Sequence, residues 1–299
     1  MLQIPPYLVK GDQVIIAATA RKISLEELGP AVQYLHSRGL EVIFTPGLFD
    51  VHHQFAGTDD QRAAAFQWAL AHPTAKAILI ARGGYGTVRI IDKIQFDVLL
   101  HHPKWICGYS DVTVLHSHLH QLNWASLHCT MPINFTKHDG AVESLINALE
   151  GQPIQHRVQR HPLNRKGRSK AIVTGGNLSI LYAIGGSVSD VDTAGKLLFI
   201  EDLDEYLYHI DRMMMQLKRA GKLKNLSGLI VGGMSDMKDN AVPFGATAEE
   251  IVRDAVDAYD YPVCFGFPAG HIDDNRAIYF GKQALLEVTT SGAILDYNQ

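Results

Sequence analysis

Cysteine is scarce in this sequence, with 3 residues among 299. Cys107, Cys129 and Cys264 lie far apart and mostly inside apolar runs, and no Cys-x-x-Cys pair is present. A scattered set with an odd number of members excludes a disulfide framework and a zinc site built on cysteine pairs. We expect reduced core cysteines, as is usual in cytoplasmic proteins.

Long apolar runs and an excess of one charge are also missing. No run approaches the roughly 20 residues that a membrane-spanning helix requires. Residues 1–6 show neither the basic region nor the apolar core of a signal peptide. The 27 Lys and Arg residues against 31 Asp and Glu give a net charge of −4, so nothing favours nucleic acid or an anionic membrane as a partner. We therefore expect a globular cytoplasmic protein that binds neither.

The motifs of common cofactor and metal sites are absent as well. The first apolar run, at 13–19, leads through Ala-Thr-Ala-Arg and not through the Gly-x-Gly-x-x-Gly of dinucleotide-binding folds. His116, His118 and His120 lie in one predicted helix, but Ser117 stands where the His-Glu-x-x-His motif requires glutamate. A packed or solvated histidine cluster is favoured over a metal site, and we expect neither a metal nor a cofactor.

The first half of the chain contains a regular alternation of apolar, β-branched runs with helical patterns. The apolar runs lie at 13–19, 41–44, 77–81, 104–107 and 126–129. Ser24 and Thr58 each open a capping-box pattern at the start of a predicted helix. Further helical patterns lie around 90–94 and 97–101. This spacing predicts an α/β fold, with a mainly parallel sheet covered by helices on both faces.

The composition of the sequence changes after residue 150. Residues 151–170 contain two prolines and six basic residues but little periodic apolar content, which is typical of a linker. A solvated linker is favoured over an anion-binding patch because no aromatic residues are interleaved for base stacking. Residues 171–299 then resume the alternation and end in a pattern typical of antiparallel strands. We thus predict a domain at 1–150, a linker at 151–170 and a second domain at 171–299.

The most informative stretch runs from Cys107 to Thr113, where a predicted strand meets a predicted helix. Ser110 lies at the bend, as the nucleophile does in the Gly-x-Ser-x-Gly elbow, although Val112 replaces the second glycine. From these residues alone, Ser110 and Asp111 are more simply explained as a helix N-cap. Other candidate catalytic residues elsewhere in the sequence are needed to distinguish a helix cap from a nucleophile.

Two further reactive side chains follow later predicted strands. Glu201 ends the run at 196–200, and His271 follows the run at 262–265. The order Ser, Glu, His is one that α/β serine hydrolases use for a nucleophile, an orienting carboxylate and a general base. With 15 histidines in the chain, this order also arises readily by chance. Glu205, one loop further on, is an alternative orienting carboxylate.

A glycine-rich loop, Arg82-Gly83-Gly84-Tyr85-Gly86, directly follows the strand predicted at 77–81. Glycines at a strand end let backbone N–H groups approach a ligand, and they can supply one donor of an oxyanion hole. The amide of Asp111 is the natural second donor. Arg82 is a candidate to bind a substrate carboxylate, or it braces the loop.

These motifs together resemble the LD-carboxypeptidases, or muramoyltetrapeptide carboxypeptidases, and their relatives that hydrolyse microcin-type peptidyl nucleotides. The resemblance extends over most of the chain. Its segments are Lys10-Gly11-Asp12, Phe55–Asp59 with Arg62, Arg82–Gly86, Gly108–Thr113, Gly175–Leu178, Phe199–Asp202, Ile210–Arg212 and Gly266–His271.

The resemblance implies a role for each candidate residue. Ser110 would be the nucleophile, His271 the general acid and base, and Glu201 its orienting carboxylate. The amides of Gly84 and Asp111 would form the oxyanion hole, and Arg82, Gly83 and Tyr85 would contact the substrate. It also implies a flavodoxin-like N-terminal domain, a C-terminal β/α domain, and a metal-free cytoplasmic enzyme that is commonly a homodimer.

The leading functional hypothesis is release of terminal D-alanine from murein tetrapeptide during cell-wall recycling. One rival is a self-immunity amidase that acts on a peptidyl nucleotide. Another is a non-catalytic ligand-binding module, in which Ser110 and His271 would be dispensable.

The sequence departs from the family at His128-Cys129-Thr130-Met131, where the family has a His-Gly-Pro-Met-like stretch, and at Thr19-Ala20, where it often has Pro-Ser. Both departures concern pocket loops and therefore specificity.

Overall fold

A computed structural model describes residues 2–298, and its framework is a pair of β-sheets flanked by helices. In chain order the strands are β1 Gln13–Ala17, β2 Glu41–Phe44, β3 Ala77–Ile80, β4 Trp105–Gly108, β5 Ser126–His128, β6 Gln155–Gln159, β7 Gly167–Asn177, β8 Leu197–Leu203, β9 Gly228–Ser235, β10 Val263–Cys264, β11 Ile278–Phe280, β12 Gln283–Val288 and β13 Gly292–Asp296.

The helices connect these strands. They are α1 Leu25–Ser37, α2 Asp59–Ala71, α3 Thr113–Gln121, α4 Asp139–Leu149, α5 Leu178–Ala183, α6 Leu207–Arg219 and α7 Ala248–Ala255. Capping boxes begin α1 at Ser24, α2 at Thr58 and α7 at Thr247, because each hydroxyl accepts the N3 amide while the N3 side chain accepts the cap amide. Within residues 2–298 no helix combines the length and apolar character needed to cross a membrane.

The first sheet has the strand order β11-β5-β4-β3-β1-β2 and is parallel except for β11. Its central strands are buried on both faces: Ile15 packs into the core on one side and Ile16 into the core on the other. This confirms the predicted parallel sheet with helices on both faces, because only such burial explains continuous apolar strands.

The second sheet has the order β10-β9-β8-β7-β12-β13-β6. Strands β7 to β10 are parallel, and β12, β13 and β6 complete the sheet in antiparallel fashion. The predicted C-terminal β/α unit with closing antiparallel strands is therefore confirmed. One closing strand, β11, instead pairs with β5 and so ties the second half of the chain to the first sheet.

Two segments differ from the sequence prediction. The helical patterns predicted around 90–94 and 97–101 form only 3₁₀ turns, at Ile91–Lys93 and Phe96–Leu100. The predicted linker, 151–170, contains β6 and the beginning of β7, both hydrogen-bonded within the second sheet. Strand β6 buries only His156 and Val158 and exposes the polar residues that alternate with them. Its composition therefore resembles that of a loop, although every second residue is buried, as in an edge strand.

Candidate active site

Ser110 lies at a strained bend between β4 and α3. Its backbone has φ of 64°, a left-handed conformation that is uncommon outside glycine. The strain places the hydroxyl beyond the carboxyl end of β4, as in a nucleophile elbow. Space beside the serine is kept free by Gly83, where a Cβ would lie 2.9 Å from Ser110 Cβ and 3.0 Å from its Oγ.

Neither Ser110 nor Asp111 caps the helix that follows. Helix α3 has Val112 at its N-cap and no side-chain cap. The Asp111 carboxylate instead accepts the Thr87 amide at 2.8 Å, and the Thr87 hydroxyl shares a hydrogen bond with Thr19 at 2.8 Å. Burial raises the pKa of Asp111, although the hydrogen bonds around Thr87 oppose the shift. The simplest explanation of the motif, a helix N-cap, is therefore wrong: Asp111 joins the elbow to the loop after β3.

Ser110, His271 and Glu201 form a continuous hydrogen-bonded chain. His271 Nε2 lies 3.1 Å from Ser110 Oγ, and His271 Nδ1 lies 2.6 Å from Glu201 Oε2. The backbone amide of His271 donates to the same carboxylate oxygen at 3.0 Å. Because an ionised carboxylate only accepts, Nδ1 carries the proton and Nε2 is left to accept from the serine hydroxyl. This arrangement has the geometry that base-assisted nucleophilic catalysis requires.

Glu201 is completely buried at the end of β8. Gly270, with φ of 105°, lets the chain before His271 pass close to it, since a Cβ there would lie 2.6 Å from Glu201 Cβ. Burial alone would lower the pKa of His271, but the charge and the hydrogen bond of Glu201 outweigh it and raise the pKa. The carboxylate therefore stabilises the imidazolium that proton transfer from Ser110 would create.

Glu205 occupies a different position. It is hydrogen-bonded to His209 on the first turn of α6, with Oε2 2.5 Å from Nδ1, and within residues 2–298 it forms no hydrogen bond with His271. Glu201 is thus the carboxylate that the structure places against His271.

The glycine loop after β3 presents a free amide beside the elbow. Gly84 has φ of 124°, and its N–H has no backbone or side-chain acceptor within residues 2–298. Asp111 lies in the first turn that follows β4, where helix geometry leaves N–H groups without partners. These two amides are therefore available to an anion next to Ser110.

The two sheets are held together directly behind the elbow. Gly176 has φ of 141° and approaches Thr113 so closely that a Cβ would lie 2.5 Å from Thr113 Oγ1. The same hydroxyl accepts the Asn177 amide at 3.0 Å, and Asn177 Nδ2 donates to Asp202 at 2.9 Å. Burial, followed by the charge of Glu201, raises the pKa of Asp202 to about 6. These contacts among Thr113, Gly176, Asn177 and Asp202 fix the position of the second sheet relative to Ser110.

Ser110 and His271 open into a cleft of about 560 Å³ between the two sheets. Its lining residues from the first half are Arg21, Arg82, Gly83, Gly84, Tyr85, Tyr109, Ser110, Met131, Ile133 and Asn134. Those from the second half are Asn177, Ser179, Ile180, Asp202, Leu203, Asp204, Glu205 and His271. Such a cleft at the carboxyl ends of parallel strands is where α/β proteins bind their ligands.

Arg82 braces a neighbouring loop and also faces the cleft. Its Nη1 lies 3.3 Å from the Lys22 carbonyl and 3.5 Å from Glu27 Oε1, so it braces the loop after β1. It also lines the cleft together with Gly83 and Tyr85. Arg21 was missed by sequence reasoning. It lies over Gly84, where a Cβ would come within 2.6 Å of its Cγ, and only its place after β1 could have signalled it.

The histidines of α3 have partners within the protein. His116 bonds to Ser126 Oγ at 2.8 Å and to the Gly108 carbonyl at 2.9 Å, and His118 bonds to Ser189 at 2.9 Å. Burial lowers the pKa of His116 to about 4, so it is neutral near pH 7. Across residues 2–298 no group of three His, Cys, Asp or Glu side chains is arranged to hold a metal ion.

Two family models match the chain. The LD-carboxypeptidase N-terminal domain matches residues 14–129, and the LD-carboxypeptidase C-terminal domain matches residues 170–286. The chain belongs to the LD-carboxypeptidase family. It is accordingly a serine-type carboxypeptidase, a hydrolase, as the resemblance in its motifs predicted.

Individual relatives agree with this assignment. The probable murein peptide carboxypeptidase of Bacillus subtilis is 34% identical over 304 residues, covering 98% of this chain and 94% of the relative. The crystal structure of muramoyltetrapeptide carboxypeptidase from Oxalobacter formigenes superposes with a TM-score of 0.88 at 25% identity, covering 96% of this chain and 99% of that one.

A second solved structure shares the fold. The microcin C7 self immunity protein MccF in complex with aspartyl sulfamoyl adenosine superposes with a TM-score of 0.86 at 21% identity, covering 100% of this chain and 99% of that one. At this identity the likeness concerns the fold and not the substrate.

Proposed function

We propose that this protein hydrolyses the L,D-peptide bond that links a diamino acid to the terminal D-alanine of murein tetrapeptide. The observation that carries the proposal is the hydrogen-bonded chain of Ser110, His271 and Glu201 at the base of a cleft. Murein peptide is the substrate named for the Bacillus subtilis relative, and muramoyltetrapeptide is named for the Oxalobacter formigenes one.

Ser110 Oγ attacks the carbonyl carbon of the scissile bond while His271 Nε2 takes the hydroxyl proton. The carbonyl oxygen becomes an oxyanion, which accepts hydrogen bonds from the amides of Gly84 and Asp111. His271 then returns the proton to the leaving nitrogen, the C–N bond breaks, and D-alanine departs. A water molecule attacks the acyl-enzyme by the same proton relay and releases the tripeptide from Ser110.

Glu201 acts through His271. Its Oε2 fixes the Nδ1–H tautomer and offsets the positive charge of the imidazolium during each proton transfer. The second contact from the backbone amide of His271 keeps the carboxylate and the ring in one geometry.

The first half of the chain supplies the groups that would hold the substrate. Arg82 and Arg21 place positive charge beside the glycine loop, and a terminal carboxylate requires such charge. Gly83 leaves room for the peptide next to Ser110. Tyr85, 48% exposed at the cleft, offers an aromatic face to the substrate.

The cellular setting follows from the substrate. Tetrapeptides reach the cytoplasm when murein is recycled, and we propose that the protein acts there, as a homodimer.

An amidase acting on a peptidyl nucleotide is the second candidate. It is favoured by the fold shared with MccF, whose complex holds aspartyl sulfamoyl adenosine. It is opposed by Glu205, which lines this cleft and would repel an acidic aminoacyl side chain. A non-catalytic binding module, the remaining alternative, gives no reason for the Ser110–His271–Glu201 chain.

The test is product release by the purified protein. Incubation with murein tetrapeptide should yield tripeptide and free D-alanine, quantified by chiral chromatography, and Ser110→Ala should abolish the release. Activity should survive EDTA, since no step uses a metal. Faster cleavage of aspartyl sulfamoyl adenosine than of tetrapeptide would assign the amidase function instead, and undiminished hydrolysis by Ser110→Ala would refute the mechanism.

A further inference from the structure

We infer that Glu205 selects substrates whose acyl-donor residue carries a cationic amine on its side chain. The inference rests on the proposed hydrolase function and adds the residue that determines specificity. It arises from the uneven distribution of charge around the cleft that contains Ser110.

The two walls of this cleft carry opposite charges. The wall formed by the first half of the chain contains Arg21 and Arg82, and the wall formed by the second half contains Asp202, Asp204 and Glu205. Within residues 2–298 the Arg21 guanidinium forms no ion pair, and the ion pair of Arg82 is a long one, at 3.5 Å from Glu27. A ligand that lies between the walls is therefore bound best when it carries an anionic group on one side and a cationic group on the other.

Among the described carboxylates on the acidic wall, Glu205 is the one that combines a partly buried position with an oxygen free for a ligand. Asp202 accepts from Asn177 and from the backbone amides of Ser179 and Leu203, which occupies both of its oxygens. Asp204 is paired with Lys238 through Oδ1 at 2.7 Å, and its side chain is 61% exposed to solvent, which screens its charge. Glu205 uses Oε2 for His209, whereas its Oε1 accepts no hydrogen bond from residues 2–298.

The backbone holds Glu205 in place. Asp204 turns the chain with φ of 61° directly after β8, and its amide donates to the Ser235 carbonyl at 2.9 Å. The amide of Lys238 donates to the Glu205 carbonyl at 2.8 Å. With His209 bonded to the side chain, Glu205 is a preorganised carboxylate, partly exposed at 23%, and such a group favours a substrate ammonium over a neutral side chain.

The diamino acid of the proposed substrate supplies this cation. Its carbonyl is the one that Ser110 attacks, and its side chain is the part of the acyl donor that can extend to the acidic wall. The anionic groups of the peptide remain for Arg21 and Arg82.

The experiment uses two tetrapeptides that differ only at the third residue, which is L-lysine in one and L-norleucine in the other. We expect kcat/KM for release of D-alanine by the intact protein to be at least tenfold higher for the lysine peptide. Glu205→Gln, which preserves size and can still accept from His209, should reduce this ratio to below about threefold by lowering only the value for the lysine peptide. Glu205→Lys should invert the ratio.

Asp257→Asn is the matched control, because it removes a carboxylate that is likewise paired through one oxygen with a residue four positions away, Arg253, but does not line the cleft. It should leave the lysine-to-norleucine ratio within twofold of that of the parent protein. A ratio that Glu205→Gln does not change, or an equal loss on both peptides, would show that Glu205 only supports the start of α6 and would overturn the inference.

Binding measurements test the inference about Glu205 independently of the proposed reaction. In Ser110→Ala, calorimetry should show tighter binding of the lysine peptide than of the norleucine peptide, and adding Glu205→Gln should abolish the difference. If the parent protein released no D-alanine but this difference persisted, the proposed reaction would fail and the inference about Glu205 would stand. Equal binding of the two peptides by Ser110→Ala would overturn the inference even if the reaction were observed.

Discussion

Two carboxylate–imidazole pairs lie at the end of β8, and their direct contacts are nearly the same. Glu201 Oε2 is 2.6 Å from His271 Nδ1, and Glu205 Oε2 is 2.5 Å from His209 Nδ1. They differ in burial: Glu201 is fully buried, whereas the side chains of Glu205 and His209 are 23% and 28% exposed. They also differ in what the second ring nitrogen meets, since His271 Nε2 lies 3.1 Å from Ser110 Oγ and His209 Nε2 has no hydrogen-bond partner within residues 2–298.

The comparison shows that a short carboxylate–histidine contact does not by itself indicate catalysis. Glu205 and His209 are four residues apart at the start of a helix, where such pairs form locally. Glu201 and His271 are 70 residues apart and meet only because β8 and the loop after β10 end at the same edge of the second sheet. A contact that the local sequence cannot form, together with a nucleophile on the far side of the ring, is the stronger indication of function.

The largest expected effect comes from removing the imidazole of the buried pair. His271→Ala should lower kcat for tetrapeptide hydrolysis by about 10⁴- to 10⁶-fold, because Ser110 loses its base and the leaving amine loses its acid. A burst assay for D-alanine release would measure it. Circular dichroism of the variant should match that of the parent protein, and a loss of less than tenfold would contradict the assigned role.

Glu201→Gln should lower kcat by roughly 10³- to 10⁴-fold. The amide leaves the size of the side chain unchanged but removes the charge that stabilises the imidazolium. Steady-state kinetics should show the loss in kcat with little change in KM. A variant that retains most of its kcat would mean that orientation of the ring does not depend on the charge of Glu201.

The pH dependence of kcat/KM reports on the same pair. Protonated His271 cannot accept the Ser110 proton, so activity should be present above the pKa of His271 and should fall tenfold per pH unit below it. Because Glu201 raises this pKa, the midpoint in the free enzyme should lie above the ordinary imidazole value of 6.5. In Glu201→Gln the midpoint should move to lower pH. A parent midpoint below 6.5 would mean that burial dominates over the carboxylate.

The smallest effect is expected for the exposed pair. His209→Gln should reduce kcat/KM for tetrapeptide by less than about tenfold, because a partly exposed hydrogen bond of this kind is worth about 1 kcal/mol. Its pH midpoint should equal that of the parent protein. A loss as large as that of Glu201→Gln, or a displaced midpoint, would show that the two pairs are coupled.

The sequence predicted the fold well where burial is complete. Strands such as β3 and β4 are apolar along their whole length because both faces are covered, and this signal is unambiguous. The prediction of strands failed for β6, where only alternate residues are buried and the exposed ones are polar. Strand β11 could not be assigned to the first sheet, because pairing with β5 depends on where the chain returns from the second sheet.

The residues of the candidate site also fall into those that the sequence could suggest and those that it could not. Ser110 and the loop containing Gly84 could be proposed from the sequence, since each directly follows a buried strand, at the edge where parallel sheets bind ligands. Arg21 and Asn177 could not, because each lines the cleft only through the packing of one sheet against the other. The choice between Glu201 and Glu205 was also left open, because Glu201 lies near the end of β8 and Glu205 lies in the loop directly after it.

By itself, the sequence determined the strand ends on which chemistry can occur, because alternation of apolar runs and helices places the carboxyl ends of parallel strands at one edge. It also determined the family, through motifs spread over most of the chain. Only the tertiary structure decided which carboxylate meets His271, how the ring reaches Ser110 and which charges face each other across the cleft. The physical reason is distance along the chain: hydrogen bonds of about 3 Å between residues 70 or 161 positions apart depend on how the two sheets pack, which no local pattern encodes.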